Sequence, residues 1–209
     1  MNKILLAWKL YWKVRNFRLL FIVGILLLLS ILIYFPYFFN AIEKRNGYVL
    51  NDFILNNLLN ADLSIPIFSI IWLMIIFSVI RCLQFPKTAI LFLWSYILLS
   101  ITRMMTISCI ALNPPYHYVP LIDPIISIFY GNKLITKDLF YSGHTSTQFL
   151  LFLCLPKKAD KLLALFATIV IGLMMLIQHA HYTIDIIAAP LFAWAVYKLA
   201  QLITKQIIQ

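Results

Sequence analysis

Three of the chain's four histidines stand in two short polar stretches. The first is YSGHTSTQ, Tyr141–Gln148, with His144 between Gly143 and Thr145. The second is HAHYTID, His179–Asp185. His181 and Asp185 are four apart, so on a helix they share a face. The carboxylate can accept from one ring nitrogen and fix the tautomer, which leaves the other nitrogen free to attack or to take a proton. His144, on a separate element, is the candidate proton partner. Gly143 lets a substrate come close to the backbone. Ser142 and Thr145 offer hydroxyl donors to anionic oxygens, at a helix start whose dipole favours negative charge. Arg103 carries a guanidinium fork that matches a phosphate. Together these residue types describe a phosphate-handling site.

The elements that must position them are apolar. The 209 residues are 63% hydrophobic and only 11% charged, where soluble domains are about 25% charged. The apolar runs are too long for the core of a soluble domain, and the expected fold is an all-α membrane protein. Six spans are predicted, at roughly 17–39, 64–83, 86–112, 142–157, 161–178 and 184–202. They form a single domain, 1–209, without internal repeats, linkers or low-complexity tracts.

The formal net charge is +10, and its distribution gives orientation rather than nucleic-acid binding. Lys3, Lys9, Lys13, Arg15, Arg18, Arg81, Lys87, Lys157, Lys158, Lys161, Lys198 and Lys205 fall on one side of the predicted topology. Lys44, Arg45, Arg103, Lys133 and Lys137 fall on the other. This asymmetry predicts that both termini are cytoplasmic. The first apolar run lacks a small-x-small cleavage site and reads as a retained signal anchor. The loops 40–63, 113–141 and 179–183 then face outward or toward a lumen. The first of them could form an interfacial helix. The second, rich in Pro and aromatics, suits the headgroup level and could cap a lipid cleft. Cys82, Cys109 and Cys154 lack a CxxC spacing and read as inert thiols.

Topology places Arg103 on the third span, His144 at the start of the fourth, and His179, His181 and Asp185 at the start of the sixth. All five are expected at one depth near the outer face. An ionisable group inside a span is a functional candidate. Three rival readings exist. A span histidine can be helix glue. The H-x-H-x3-D spacing plus His144 has enough ligands for zinc, although Arg103 in the same cluster opposes a cation. A proton relay or transporter would also use such groups. His117, in a loop, reads as a solvated surface histidine. The preferred assignment holds no metal and no cofactor.

At these residues the sequence resembles the sphingomyelin synthase family, a branch of the type 2 phosphatidic acid phosphatase superfamily. The resemblance lies in three motifs. Asp138 through Thr145 matches a D-x3-SGHT pattern, and His181 through Asp185 matches HYT-x-D. Arg103-Met-Met-Thr106 with Leu112-Asn-Pro114 matches an R-x2-T…L-x-P pattern. It covers about residues 64–195.

The resemblance implies a catalytic triad of His144, His181 and Asp185. His181 would attack phosphorus, Asp185 would orient it, and His144 would move the proton. Arg103 would hold phosphate oxygens and Asp138 would help to activate the acceptor. Tyr182 and Thr183, with Ser142, Gly143 and Thr145, would complete the substrate contacts. The expected activity is transfer of a phosphocholine- or phosphoethanolamine-type head group from a phospholipid donor to a lipid alcohol such as ceramide or diacylglycerol. Hydrolysis at the same residues is the alternative enzyme reading, and a lipid-binding or transport protein is the non-enzyme one. The short body suggests a bacterial inner-membrane protein with its site facing the periplasm or exterior. Thr136 and Lys137 stand where animal members have Cys-Gly, which leaves the acceptor and head group open.

Overall fold

A computed structural model describes residues 3–123 and 135–205. Lys133 and the middle of the second expected outer loop lie outside the described residues. The described residues form eight helices: α1 Lys3–Lys13, α2 Arg15–Glu43, α3 Phe53–Asn56, α4 Ser64–Gln84, α5 Pro86–Cys109, α6 Gly143–Cys154, α7 Lys158–Ile177 and α8 Thr183–Ile203. No strand occurs among them, only an isolated parallel bridge between Tyr48 and Leu112 that ties the connection after α2 to the chain just after α5.

Five of the helices, α2, α4, α5, α7 and α8, are long and apolar enough to cross a membrane. The chain is an integral membrane protein. The expected fourth span is represented by α6, which has 12 residues and rises only about 18 Å at 1.5 Å per residue. That is short of the roughly 30 Å of hydrocarbon a span must cover. The structure thus supports five spanning helices by length where the sequence predicted six. Leu155 takes an extended backbone and Pro156 follows it, so the apolar run 149–155 ends as helix sooner than its hydropathy suggests.

The order of burial tells which helix is central. In its most apolar window α5 is 44% buried and α2 only 11%, so α5 is the hub and α2 a peripheral helix. Large side chains such as Ile33, Leu73, Phe166 and Leu191 point outward, as lipid-facing residues do. Between α5, α6 and α8 the packing uses small residues. Ala188, Ala189, Ala193 and Ala200 of α8 are buried against Leu91, Leu99 and Leu150, which lets the backbones approach closely where lipid gives no hydrophobic drive to associate. At the other end of the bundle, Arg81 of α4 clamps Asp160 of α7 through Nε–Oδ2 at 2.7 Å and Nη2–Oδ1 at 2.9 Å. This ion pair, with one hydrogen bond from Nη2 to Oδ1, ties α4 to α7 at the end of the bundle opposite the histidines.

Candidate active site

Three helix ends meet at the polar end of the bundle: the C-terminal part of α5 and the starts of α6 and α8. The start of α8 is set by the chain before it. Helix α7 ends in a Schellman turn: Ala180 N donates to Met175 O and His179 N to Leu176 O, with His179 at φ 52° in the left-handed position. His179 Nδ1 and Nε2 lie 3.1 Å and 3.2 Å from the carbonyl oxygens of Tyr116 and Leu58. His179 is therefore a corner that joins the connection between α2 and α4 to the one that follows α5. Next to it, fully buried Gln178 donates to Asp62 Oδ1, Ser64 Oγ and Pro120 O and accepts from Leu63 N. The H-x-H-x3-D spacing does not converge, and among the described residues no three His, Cys, Asp or Glu side chains are grouped to hold a metal ion.

After this corner the chain enters α8. Asp185, at the third helical position, is fully buried. Its Oδ2 accepts from Tyr182 N at 3.2 Å, as a capping carboxylate does, and lies 3.1 Å from His181 Nδ1. One carboxylate oxygen thus starts the helix and orients the imidazole. The arrangement puts the proton on Nδ1 and leaves the Nε2 lone pair available. Asp185 Oδ1 is buried without a hydrogen-bond partner among the described residues.

Helix α6 begins with Ser142 as N-cap, its Oγ accepting from Thr145 N. Ser142 N also donates to Asp185 O at 3.1 Å, so the two helix starts are bonded to each other. His144 is partly exposed and stands edge-on to Phe68, ring centroids 5.9 Å apart. It lies within electrostatic range of His181, Asp138 and Arg103. Ser142 and Thr145 are buried, and Thr145 Oγ1 has no hydrogen-bond partner among the described residues.

Arg103 reaches this point from α5. It forms an ion pair with Asp138, and its Nε donates to Tyr141 O at 3.4 Å. The guanidinium lies over Gly143, where a Cβ would overlap it. That gives this glycine its reason: it makes room for Arg103, where the sequence suggested room for substrate. Thr102 and Thr106 of α5 hold the same loop, through Tyr141 Oη at 2.9 Å and Phe140 O at 3.0 Å. Tyr141 stacks on Phe192 of α8 at 4.3 Å.

The structure brings His144, His181, Asp185, Arg103, Asp138, Ser142, Gly143 and Thr145 to one place. It turns Tyr182 and Thr183 elsewhere. Tyr182 Oη donates to Asn113 O and accepts from Leu50 N, and Thr183 donates through N and Oγ1 to Asp52. His117 is exposed.

Several supporting residues were not read from the sequence. Tyr96, seven positions before Arg103 on α5, interacts electrostatically with Arg103 and Asp138. Its spacing from Arg103, two helical turns, was a signal that could have found it. Glu43 ends α2 and accepts from Thr136 N, Thr136 Oγ1 and Lys137 N at 2.6–3.0 Å, so it holds the stretch before Asp138. Asp52 caps α3 and receives both Thr183 bonds. Local sequence accounts for Asp52 as a helix cap, but nothing local marks its bonds to Thr183 or those of Glu43.

Residues 137–202 match the family model described as PAP2 superfamily C-terminal. The match supports the type 2 phosphatidic acid phosphatase superfamily and, with it, an enzyme of the lipid phosphatase and phosphotransferase type. It spans Asp138, His144, His181 and Asp185, while Arg103 and Tyr96 lie before it. No curated protein and no solved structure matches the chain.

Proposed function

We propose that the protein is a membrane lipid phosphotransferase that moves a phospho-head group from a glycerophospholipid to a lipid alcohol through a histidine nucleophile, in the manner of the sphingomyelin synthase branch. The observation that carries this reading is the His181 Nδ1–Asp185 Oδ2 contact of 3.1 Å at the start of α8, beside the Arg103–Asp138 pair and His144.

In the first step the Nε2 lone pair of His181 forms a bond to phosphorus and the bond to the diacylglycerol oxygen breaks. His144, protonated, gives its proton to that leaving oxygen. Asp185 stabilises the charge that develops on the His181 ring. In the second step His144 takes the proton of the acceptor hydroxyl, the acceptor oxygen attacks phosphorus, and the P–N bond returns its electrons to His181. Arg103 and the amide groups at the start of α6 face the phosphate oxygens, where fixed donors are most effective. Asp138 holds the guanidinium in that pose. The polar end of the bundle faces the periplasm or exterior of a bacterial inner membrane, and the termini lie together in the cytoplasm, with α6 as a short sixth crossing shielded by α5, α7 and α8. The donor carries a phosphocholine or phosphoethanolamine head group, and ceramide or diacylglycerol is the acceptor.

The test uses purified protein in detergent with a chelator, head-group-labelled phosphatidylcholine or phosphatidylethanolamine, and ceramide or diacylglycerol. Label appearing in a new lipid, dependent on the acceptor, is the expected result. Label released only as water-soluble phospho-head group or free phosphate would replace transfer by hydrolysis at the same residues. No conversion of any donor would reject the enzyme reading.

A further inference from the structure

The end of the bundle opposite the histidines holds a second candidate site. Helix α1 buries none of its residues, yet it is fixed in place. Trp8 Nε1 donates to Leu83 O at 2.7 Å, and the Trp8 ring meets Phe17 and Phe21 edge-on at 6.0 Å and 5.5 Å. A cavity of about 450 Å³ lies along this helix, lined by Leu5, Trp8, Lys9, Trp12, Lys13 and Arg18. Half of its lining residues are cations. Lys9 and Lys13 are four apart on one helix, an arrangement that costs stability without an anion between them.

No Asp or Glu side chain fills this role. Of its seven acidic residues, Asp160 is taken by Arg81 at the same end. Glu43, Asp52, Asp62, Asp123, Asp138 and Asp185 stand at the end of α2, in the connection from there to α4, in the chain after α5 or at the histidine site. No acidic side chain is left to face the three cations of this cup, which leaves it open to an anion from outside the chain.

A second cavity, of about 330 Å³, shares Trp8 with the first and runs from it between α2, α4 and α5. Its walls are almost wholly apolar, Ile25, Leu28, Val79 and Leu93 among them, and it extends to Tyr96. A cationic cup joined through an indole to a greasy groove has the chemistry of one kind of ligand. An anionic head needs the cup, and an attached hydrocarbon chain needs the groove. A nucleic acid or free phosphate would leave the groove empty.

We propose that this pair of cavities binds an anionic glycerophospholipid from the adjoining membrane leaflet, with its phosphate between Lys9, Lys13 and Arg18 and an acyl chain in the groove beyond Trp8. The cationic cup lies at the opposite end of the bundle from the histidine cluster, while the far end of the groove, at Tyr96, comes within about 10 Å of Arg103 along α5. Bound lipid neutralises the Lys9–Lys13 repulsion and fixes α1 against α2 and α5, the helix that carries Arg103.

The test titrates the full chain in neutral detergent with phosphatidylglycerol or phosphatidylcholine carrying brominated chains, and reads quenching of intrinsic tryptophan fluorescence. Phosphatidylglycerol should quench saturably at far lower concentration than phosphatidylcholine. The exposed-surface variant Lys9→Ala/Lys13→Ala/Arg18→Ala should weaken that binding by about a hundredfold with an unchanged thermal transition. Inorganic phosphate should not compete. Equal quenching by the two lipids, an unaltered affinity in the triple variant, or competition by phosphate at concentrations near those of the lipid would each overturn the proposal.

Discussion

The starts of α6 and α8 are bonded to each other, and each presents a histidine, but they hold it in different ways. At α8 the histidine precedes the helix and Asp185 does two tasks with one oxygen: it caps the helix and orients His181. The carboxylate is fully buried and the ring nearly so. At α6 the cap is the neutral hydroxyl of Ser142, and His144 sits inside the first turn with an aromatic edge beside it and part of its ring open. A ring locked by a buried carboxylate suits an atom that must attack in one direction. A ring that is partly open and not capped by a carboxylate suits a group that must exchange protons with two partners in turn. Under the proposed function, this contrast fits bond formation at the α8 start and proton movement at the α6 start.

The strongest way to break this assignment is to remove the locked ring. His181→Ala should lower kcat/KM by four orders of magnitude or more, roughly the cost of losing a member of a catalytic unit, for every donor lipid. It should also abolish acid-labile phosphate labelling of the protein. Asp185→Asn keeps the shape and spoils the tautomer, and an effect of about three to four orders is expected. Near-normal turnover in either variant would remove His181 as nucleophile.

His144→Ala sharpens the contrast. With a natural lipid donor the loss should be about a hundredfold to ten-thousandfold. With an aryl phosphodiester, whose leaving oxygen needs no proton, the first step should recover, and labelled protein should accumulate because the second step still lacks its base. If His144→Ala loses labelling with the activated ester as fully as His181→Ala does, the two roles are not divided as argued.

Gly143→Ala comes next in size. The added methyl overlaps the Arg103 guanidinium, so the arginine must leave its place while both histidines remain. A fall of roughly a hundredfold in kcat/KM is expected from such misplacement, with the thermal transition little changed. Arg103→Lys should fall in the same range, because a point charge cannot keep the fork geometry toward Asp138 and a phosphate together. Normal activity in Gly143→Ala would mean that the guanidinium position is not part of the chemistry.

What the sequence disclosed and what it hid divide along a physical line. Periodicity-free apolar runs identify spans, and α4, α5, α7 and α8 lie close to where hydropathy puts them. Short-range spacing identifies His181 with Asp185, since four residues on a helix is a geometric statement. The length of α6 was not legible, because hydropathy continues through Leu155 whereas the helix does not. Helix α1 is not among the predicted spans: its KILLAWKLYWK is too short to cross a membrane, and its lysines enter the sequence reading only through the charge asymmetry. The long-range bonds of Glu43, Asp52 and Gln178 were invisible for another reason. Their partners lie 93, 131 and 115 residues away, and no local pattern encodes such pairs. The comparison of the two helix starts rests on these distant carboxylates and amides, which decide how firmly each start is held.

Asp52 gives the smallest and most delicate test, because it touches only the α8 side. It accepts from Ile54 N and Leu55 N at 3.1 Å and 3.2 Å and from Thr183 N and Oγ1 at 2.6 Å and 3.0 Å. It thereby joins the connection between α2 and α4 to the start of α8. Burial pushes its carboxyl up, but the hydrogen bonds from Thr183, Leu55 and Ile54 together outweigh this and hold it below the usual carboxylate range. A depressed folded-state value means that the ionised form stabilises the fold. The contribution is complete above the ordinary carboxylate value, near 4, and fades as pH falls through the lower folded-state value. Asp52→Ala should therefore cost about 1–2 kcal/mol at neutral pH, in line with a lost helix cap, and the gap to wild type should close on acidification below about pH 4. Thermal unfolding in detergent across that pH range measures it. A gap that stays constant to the lowest pH would show that Asp52 acts by packing and not by charge. At neutral pH the same variant should lower turnover by only a few-fold, because Asp185 still holds His181. A loss as large as that of Asp185→Asn would mean that the α8 start is not locked by its own carboxylate, and the contrast with α6 would fail.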